Sequence, residues 1–215
     1  MKPFRFLTLA SCLATMLATG AHAQSPEINF LGAGKQIVRY QDLALTETQQ
    51  SKLKKFSRDI EYFGGFAVNT ENGAWGYSAG YFSQNIAEQT AIKICEGNAR
   101  GRPCTLVAAV LPATVAPGTR HAFGFNKYKE NYYKSEFLPE VKRQRSGRYA
   151  AFAIGSNALG YDTNAKSADV AKLKARRNCE KAEAWNRKKS EISVRNAISA
   201  MDGQKCRVIE VIGPS

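Results

Sequence analysis

Residues 66–112 read FAVNTENGAWGYSAGYFSQNIAEQTAIKICEGNARGRPCTLVAAVLP, and this stretch decides the fold. A second stretch, residues 152–179, reads FAIGSNALGYDTNAKSADVAKLKARRNC and is followed, after an insertion, by CRVIEVIGP at residues 206–214. From a Gly-Tyr pair to the first cysteine, the two stretches can be laid over each other without a gap. We therefore interpret the chain as two diverged copies of one unit.

The matching positions lie at fixed spacing. In each copy a serine follows the glycine of the Gly-Tyr pair by seven residues, and a cysteine follows that serine by twelve. A second cysteine lies eight residues before a proline in each copy. The matched pairs are Gly76 and Gly160, Tyr77 and Tyr161, Ser83 and Ser167, Ala87 and Ala171, Ala91 and Ala175, Cys95 and Cys179, and Cys104 and Cys206.

Each copy predicts the same order of elements. Short β-prone runs on either side of an Asn/Gly-rich turn predict a hairpin, and Ser83 and Ser167 stand where the N-cap of a helix belongs. Alanines and a cysteine then recur every four residues, which places a stripe of small side chains on one face of each helix. A strand rich in Val, Ile and Leu follows, at residues 105–110 and 207–212. The predicted fold class is α+β, with two repeated ββαβ units, antiparallel-rich sheets and helices on one face.

The cysteines favour disulfide bonds over a metal site. Four of them lie beyond residue 23, and four cysteines allow three pairings. Pairing within each unit, Cys95 with Cys104 and Cys179 with Cys206, is the arrangement that treats both copies alike. We therefore expect each unit to be closed by its own disulfide.

Unit one carries a pattern of residues that resembles a known family. The pattern consists of Gly76-Tyr77, Ser83, Ala87-Glu88-Gln89-Thr90-Ala91, Cys95 and Cys104-Thr105-Leu106-Val107. It resembles the bacterial secreted domain-of-unknown-function family numbered 4189. Unit two departs from the pattern, because Ala171-Lys172-Leu173 replaces the Ala-Glu-Gln sequence and 26 residues instead of eight separate its cysteines. The resemblance implies an exported small α+β domain with a local disulfide, and it implies no catalytic residues.

The first residues have the features of an export signal. Residues 1–23 read MKPFRFLTLASCLATMLATGAHA, in which two basic residues precede an apolar run and Ala21-His22-Ala23 matches a cleavage site. We expect cleavage near Ala23 and a periplasmic or secreted protein. A minor alternative is a lipoprotein acylated at Cys12, although the apolar run before this cysteine is short for an export signal. No later stretch predicts a membrane span.

The sequence divides into five predicted parts. They are a signal peptide at 1–23, an arm and short helix at 24–61, unit one at 62–112, a basic and aromatic linker at 113–148, and unit two at 149–215 with a helical insertion at 180–205. Thr46 is expected to cap the short helix. A connection as long as the linker is typical of a functional or partly disordered segment.

The chain offers few residues for catalysis. His121 is the only histidine after residue 23, which excludes a His-rich zinc site, and there is no G-x-S-x-G sequence. We therefore expect no metal and no cofactor. Two carboxylates alone can support glycoside hydrolysis, and Asp59 and Glu61 lie near each other in the sequence. A carboxylate-dependent envelope hydrolase is therefore one alternative function. A periplasmic inhibitor or immunity protein is another.

The charge balance favours an acidic partner. The net charge is +13, and cations crowd the predicted helix of unit two. These cations are Lys172, Lys174, Arg176, Arg177, Lys181, Arg187, Lys188 and Lys189. The leading hypothesis is an exported non-enzymatic interaction protein of the cell envelope that binds an acidic protein or polymer. Nucleic acid is not an expected partner because export separates the chain from it, and no pattern indicates an oligomeric state.

A second candidate surface is aromatic. Trp75, Tyr77 and Tyr81 lie on the predicted hairpin of unit one. Aromatic rings can stack on sugar rings, and they equally serve packing within a hairpin, which is the favoured interpretation.

Overall fold

A computed structural model of the protein describes residues 31–116, 124–125, 127–189 and 206–214. The elements in chain order are β1 (Lys35–Arg39), α1 (Glu47–Asp59), β2 (Phe63–Val68), β3 (Trp75–Tyr81), α2 (Gln84–Asn98), β4 (Thr105–Pro112), α3 (Lys127–Tyr132), a π-helical segment (Tyr133–Phe137), α4 (Leu138–Arg143), β5 (Tyr149–Ile154), β6 (Leu159–Ala165), α5 (Ala168–Lys189) and β7 (Arg207–Ile212).

The strands form two antiparallel sheets, which confirms the predicted α+β class. The order is β1-β4-β2-β3 in the first sheet and β6-β5-β7 in the second. Three adjacent strands of the first sheet, β4-β2-β3, therefore correspond to β7-β5-β6 of the second. The predicted N-terminal arm includes β1, which pairs with β4 along the outer edge of the first sheet.

The two sheets share their pairing register. In the first, Phe66 pairs with Tyr77 and Ala67 with Gly76; in the second, Phe152 pairs with Tyr161 and Ala153 with Gly160. A bulge interrupts both hairpins at the same point. It lies toward the start of each first strand, just beyond the next pair. The third strands, β4 and β7, repeat the same pairs and the same irregularity. Strand for strand, the two units are built alike.

In each unit the long helix lies so close to its sheet that one strand position has no room for a side chain. A Cβ atom on Gly76 would lie 2.3 Å from the backbone nitrogen of Cys95, and one on Gly160 would lie 2.1 Å from that of Cys179. The alanines of the predicted stripe are fully buried at this contact. Small side chains on the helix and glycine on the strand thus set the distance between the two layers.

Both predicted disulfides are present. Cys95 is bonded to Cys104 and Cys179 to Cys206, and in each case the Cα atoms are 6.0 Å apart. Each bond joins the helix of a unit to the segment that leads into its third strand. In the chain-entropy description, such cross-links stabilise a fold by roughly 2–4 kcal/mol, mainly through the unfolded state.

A second helical layer covers the opposite face of each sheet, beyond the one face that the sequence predicted. On the first sheet, Phe56 of α1 lies 5.5 Å from Phe66 and 6.2 Å from Tyr77, measured between ring centroids. On the second sheet, Phe137 occupies the corresponding place. It lies 5.0 Å from Phe152 and 5.6 Å from Tyr161, the two residues that match Phe66 and Tyr77.

The interpretation of residues 113–148 as a linker therefore needs correction. Residues 127–143 are helical, and Tyr133 and Phe137, one helical turn apart, are buried against the second sheet together with Phe125. Tyr133 and Phe137 face the core together because a helix places residues i and i+4 on one side. The segment supplies unit two with the layer that α1 supplies to unit one.

The helix starts confirm some of the predicted caps. Thr46 caps α1 through a capping box with Gln49, since each side chain accepts a hydrogen bond from the other residue's backbone N–H. Ser167 Oγ accepts from the backbone of Val170 at 3.3 Å. Ser83 occupies the N-cap of α2 but makes no side-chain cap hydrogen bond there.

Phe82 joins the two units. Its backbone N–H donates to the carbonyl of Ser156 at 3.2 Å, and its carbonyl accepts from Gly124 at 3.2 Å. The ring is buried in the core of the second sheet, 5.9 Å from the ring of Phe125. A residue at the end of the first hairpin is thus part of the second unit's core.

Several predictions concern residues outside the described ranges. These are the signal peptide at 1–23, the alternative lipidation at Cys12, His121, and the part of the predicted insertion beyond Lys189. Up to Lys189 the insertion is a direct continuation of α5. Within the described residues, no helix combines the length and the hydrophobicity of a membrane span.

We predict that Gly76→Ala lowers the free energy of unfolding by about 1–3 kcal/mol, because the added methyl group forces the helix away from the sheet. The matched control is Gly97→Ala on α2, the helix that packs against Gly76, since a Cβ at residue 97 meets no atom within 4 Å. The control should stabilise the protein by about 0.5–1 kcal/mol, as alanine does in place of glycine inside helices. Urea denaturation measures both, and an unchanged midpoint for Gly76→Ala would contradict the close approach.

Candidate interaction surface on helix α5

Helix α5 presents all eight predicted cations at or near the surface. We call them the α5 basic surface: Lys172, Lys174, Arg176, Arg177, Lys181, Arg187, Lys188 and Lys189. Seven of the eight are exposed and Lys172 is half-buried. The helix buries Ala171, Ala175 and Cys179 against the second sheet, so the cations occupy its remaining sides.

Few of these cations are neutralised by neighbouring acids. Lys172 lies 3.3 Å from Asp169 and Lys174 lies 3.5 Å from Asp162. No other member of the α5 basic surface forms an ion pair with a described residue. Toward the described part of the chain, most of the positive charge of this surface is therefore unpaired.

Four of the cations form a row that runs along the outward side of the helix. Lys174, Arg177, Lys181 and Lys188 are separated by three, four and seven residues, which is the spacing of one helix face. At 1.5 Å of rise per residue, the row extends over about 21 Å. Arg187, Lys188 and Lys189 also lie in the last turn, where positive charge is favoured by the helix dipole.

Exposed apolar side chains accompany the cations. Val170, Leu173 and Trp185 all lie on α5, and the latter two are 60% and 59% exposed. Lys189 Nζ lies 4.5 Å from the centroid of the Trp185 ring, within the range of a cation–π contact. Exposed large hydrophobic residues beside arginines are characteristic of protein interfaces rather than of a merely solvated helix face.

Helix α2 of unit one provides an internal comparison. It has the same small-residue stripe and the same contact with its sheet, but only one basic residue, Lys93, against two acidic ones, Glu88 and Glu96. Helix α5 has eight basic residues against three acidic ones. Since both helices are held by the same packing, the charge of α5 is not required by the fold.

The predicted aromatic surface of unit one is smaller than the sequence indicated. Trp75 stacks between Phe66 and Tyr77, with ring centroids 6.3 and 6.0 Å away, and Lys52 Nζ lies 5.1 Å from its centroid. Tyr77 is 45% exposed, whereas Tyr81 is buried. The prediction that Tyr81 shares this surface is wrong.

The physical reason is the bulge in β3. Gly80 has a φ of 75°, and β3 contains one extra residue between its pairs with Gly65 and with Phe63. The bulge turns Tyr81 to the α2 side of the sheet, where it packs with Phe63 and Ala87. Burial raises the pKa of its hydroxyl.

Asp59 and Glu61 do not form an enclosed carboxylate pair. Both residues are exposed. The guanidinium of Arg58 donates a 2.6 Å hydrogen bond to Asp59, and this bond lowers the pKa of the carboxyl group. A glycosidase needs an acid whose pKa is raised, and Asp59 is not such an acid. Among the described residues, no group of histidine, cysteine and acidic side chains is arranged to hold a metal ion.

Glu183 is a polar residue of α5 that sequence reasoning missed. It follows Cys179 by four residues and so continues the buried stripe, where its side chain is 7% exposed. Its carboxylate accepts hydrogen bonds from Ser156 Oγ and from the backbone N–H of Asn157, both at 2.9 Å. A glutamate at the next position of a small-residue stripe was the pattern that could have revealed this contact.

Comparisons with protein-family models, with curated proteins and with solved structures found no match for this chain. The resemblance of unit one to the family named above therefore stays a prediction.

We predict that Glu183→Ala lowers the free energy of unfolding by about 1–3 kcal/mol, because Ser156 and Asn157 lose the acceptor of their buried hydrogen bonds. Glu180→Ala is the control, since Glu180 lies on the same helix but is exposed. Thermal or urea unfolding should show a loss for Glu183→Ala only. Equal effects of the two substitutions would contradict the buried role of Glu183.

Proposed function

We propose that this protein is an exported, non-enzymatic interaction protein of the cell envelope, and that it binds an acidic protein or polymer through the α5 basic surface. The observation that carries the proposal is the row of Lys174, Arg177, Lys181 and Lys188, exposed and with a single ion pair among them. A row of this kind attracts a polyanion over many charges at once.

The composition of the surface supports a specific contact in addition to attraction at long range. Arginine guanidinium groups bind carboxylates in a bidentate geometry that lysine lacks, and Arg176 and Arg177 lie in the middle of the helix. Leu173 and Trp185 give the partner apolar area to cover. Charge then determines the rate of encounter, and the apolar contacts and guanidinium groups stabilise the complex.

The proposed location rests on the cysteines and on the N-terminal sequence. The two disulfides suit an oxidising compartment such as the periplasm or the exterior. Residues 1–23 provide the expected export signal. In the envelope, acidic polysaccharides, wall polymers and acidic proteins are the polyanions that a cationic helix meets.

We predict that Arg177→Gln, Lys181→Gln and Lys188→Gln together weaken binding to immobilised polyglutamate and to alginate by about tenfold or more at low salt. The slope of log Kd against log salt concentration should fall by about one for each cation removed. The measurement is a set of binding isotherms between low and high salt.

The control is a second triple variant, Lys54→Gln, Lys142→Gln and Arg145→Gln. It removes the same charge from exposed positions outside α5. It should retain most of the affinity. If both variants lose affinity equally, net charge rather than the α5 basic surface is responsible, and the proposal is wrong. Binding that does not change with salt would contradict it as well.

A further inference from the structure

Unit one contains a groove at the end of its sheet. The groove lies between the turn that joins β2 to β3 and the loop that leads from α2 to Cys104, and its volume is about 550 Å³. This volume is typical of small-molecule sites, which span about 300–1,000 Å³. The lining residues are Asn72, Gly73, Ala74, Trp75, Asn98, Ala99, Arg100 and Arg102. Two guanidinium groups therefore line the groove, and one carboxylate, that of Glu71, lies beside Arg102.

Hydrogen bonds fix the two walls of the groove to each other. Asn69 Nδ2 donates to the carbonyl of Pro103 at 2.8 Å, and Asn98 Nδ2 donates to that of Trp75 at 2.8 Å. The disulfide between Cys95 and Cys104 closes the loop that carries both arginines. A site whose walls are already held in place loses little conformational entropy when a ligand binds.

Arg100 occupies a backbone position that normally belongs to glycine. Helix α2 ends in a Schellman motif, in which Gly101 N–H donates to the carbonyl of Glu96 at 2.8 Å and Arg100 N–H donates to that of Gly97 at 3.3 Å. Arg100 takes the left-handed position of this motif, with a φ of 58°. An arginine in this position carries a backbone cost that glycine would not.

The same corner of unit two is occupied by a carboxylate of the chain itself. Because Cys95 matches Cys179, the position of Glu183 corresponds to Ala99. Glu183 places its carboxylate against the hairpin turn, so close that a Cβ on Gly155 would lie 2.2 Å from Oε1. Ala99 has no side chain that can reach across. In unit one, two asparagines of the turn reach the other wall instead, since Asn69 donates to the carbonyl of Pro103 and Asn72 donates to that of Ala99 at 3.3 Å.

The polar groups at this corner of unit one differ from those of unit two. In unit one, Asn69 Oδ1 already accepts from the N–H groups of Glu71 and Asn72, at 3.0 and 2.9 Å. The turn therefore needs no carboxylate of its own. Arg100 forms no ion pair with a described residue, and Arg102 lies 3.6 Å from the exposed Glu71.

We propose that the groove of unit one binds the carboxylate of a small external ligand, either an acidic sugar or an organic acid. Arg100 and Arg102 hold the carboxylate, as guanidinium groups do in bidentate pairs. The amide groups of Asn72 and Asn98 donate to the carbonyls of Ala99 and Trp75, so they hold the walls in place and leave recognition to the guanidinium groups. The site is on unit one and does not depend on the α5 basic surface.

The test follows the backbone and arginine Nε–H resonances of the full chain by NMR while glucuronate, acetate, glucose or phosphate is added. We expect glucuronate to shift Arg100 and Arg102 in a saturable manner. Arg100→Gly with Arg102→Gln should weaken this binding by about tenfold or more. Glycine at residue 100 keeps the left-handed backbone, so the fold is retained.

The outcomes separate the two sources of the carboxylate and the two sites. Glucuronate binding without acetate binding identifies an acidic sugar, and equal binding of both identifies an organic acid. Shifts with phosphate alone, equal shifts with glucose, or no shift at Arg100 and Arg102 would overturn the proposal. The triple variant of Arg177, Lys181 and Lys188 should bind glucuronate normally, so a failure at α5 and a failure at the groove are distinguishable.

Discussion

The close approach of each long helix to its sheet is the constraint on which the rest of the structure depends. Gly76 and Gly160 leave no space between the strand and the helix backbone, and the alanine stripes lie directly on the neighbouring strands. This contact determines which turn of the helix lies beside the hairpin turn. The disulfides then join the same part of the helix to the third strand. Each unit is therefore closed at one corner by packing and by a covalent bond.

Once this frame is fixed, the outward side of each helix is free to differ. Helix α2 keeps one basic residue, whereas α5 keeps eight and adds exposed apolar residues. The corner beside the hairpin turn differs too, because a carboxylate, that of Glu183, reaches it in unit two, whereas the matching residue of unit one is Ala99. Both candidate sites thus lie where the two copies diverge on a shared framework.

Residue spacing was sufficient to predict the features that repeat. The positions of the glycines, alanines and cysteines predicted the hairpins, the helices and both disulfides, because packing at short distance permits only small residues in register. The role of residues 127–143 was not predictable in the same way, since alternating aromatic and basic residues suit a buried amphipathic helix and an exposed binding segment equally. Tyr81 was misplaced because a bulge changes which face a residue occupies.

The sequence predicted the cations of the candidate site but not their geometry. Knowing that eight basic residues lie on one helix does not reveal which acids neutralise them, because Asp162 reaches Lys174 from another element. Glu183 illustrates the same difficulty, since its partners Ser156 and Asn157 belong to a turn 26 or more residues away in the chain. Contacts between distant segments follow from the tertiary fold, and spacing along one helix cannot show them.

The central claim is that the outward side of α5 contacts an acidic partner, and lysine footprinting tests it most directly. The protein is acetylated with and without bound polyglutamate or alginate, and the modified lysines are identified by mass spectrometry. The account predicts protection of Lys174, Lys181 and Lys188 and unchanged modification of Lys54, Lys55 and Lys142. Protection spread evenly over all exposed lysines, or confined to unit one, would contradict it.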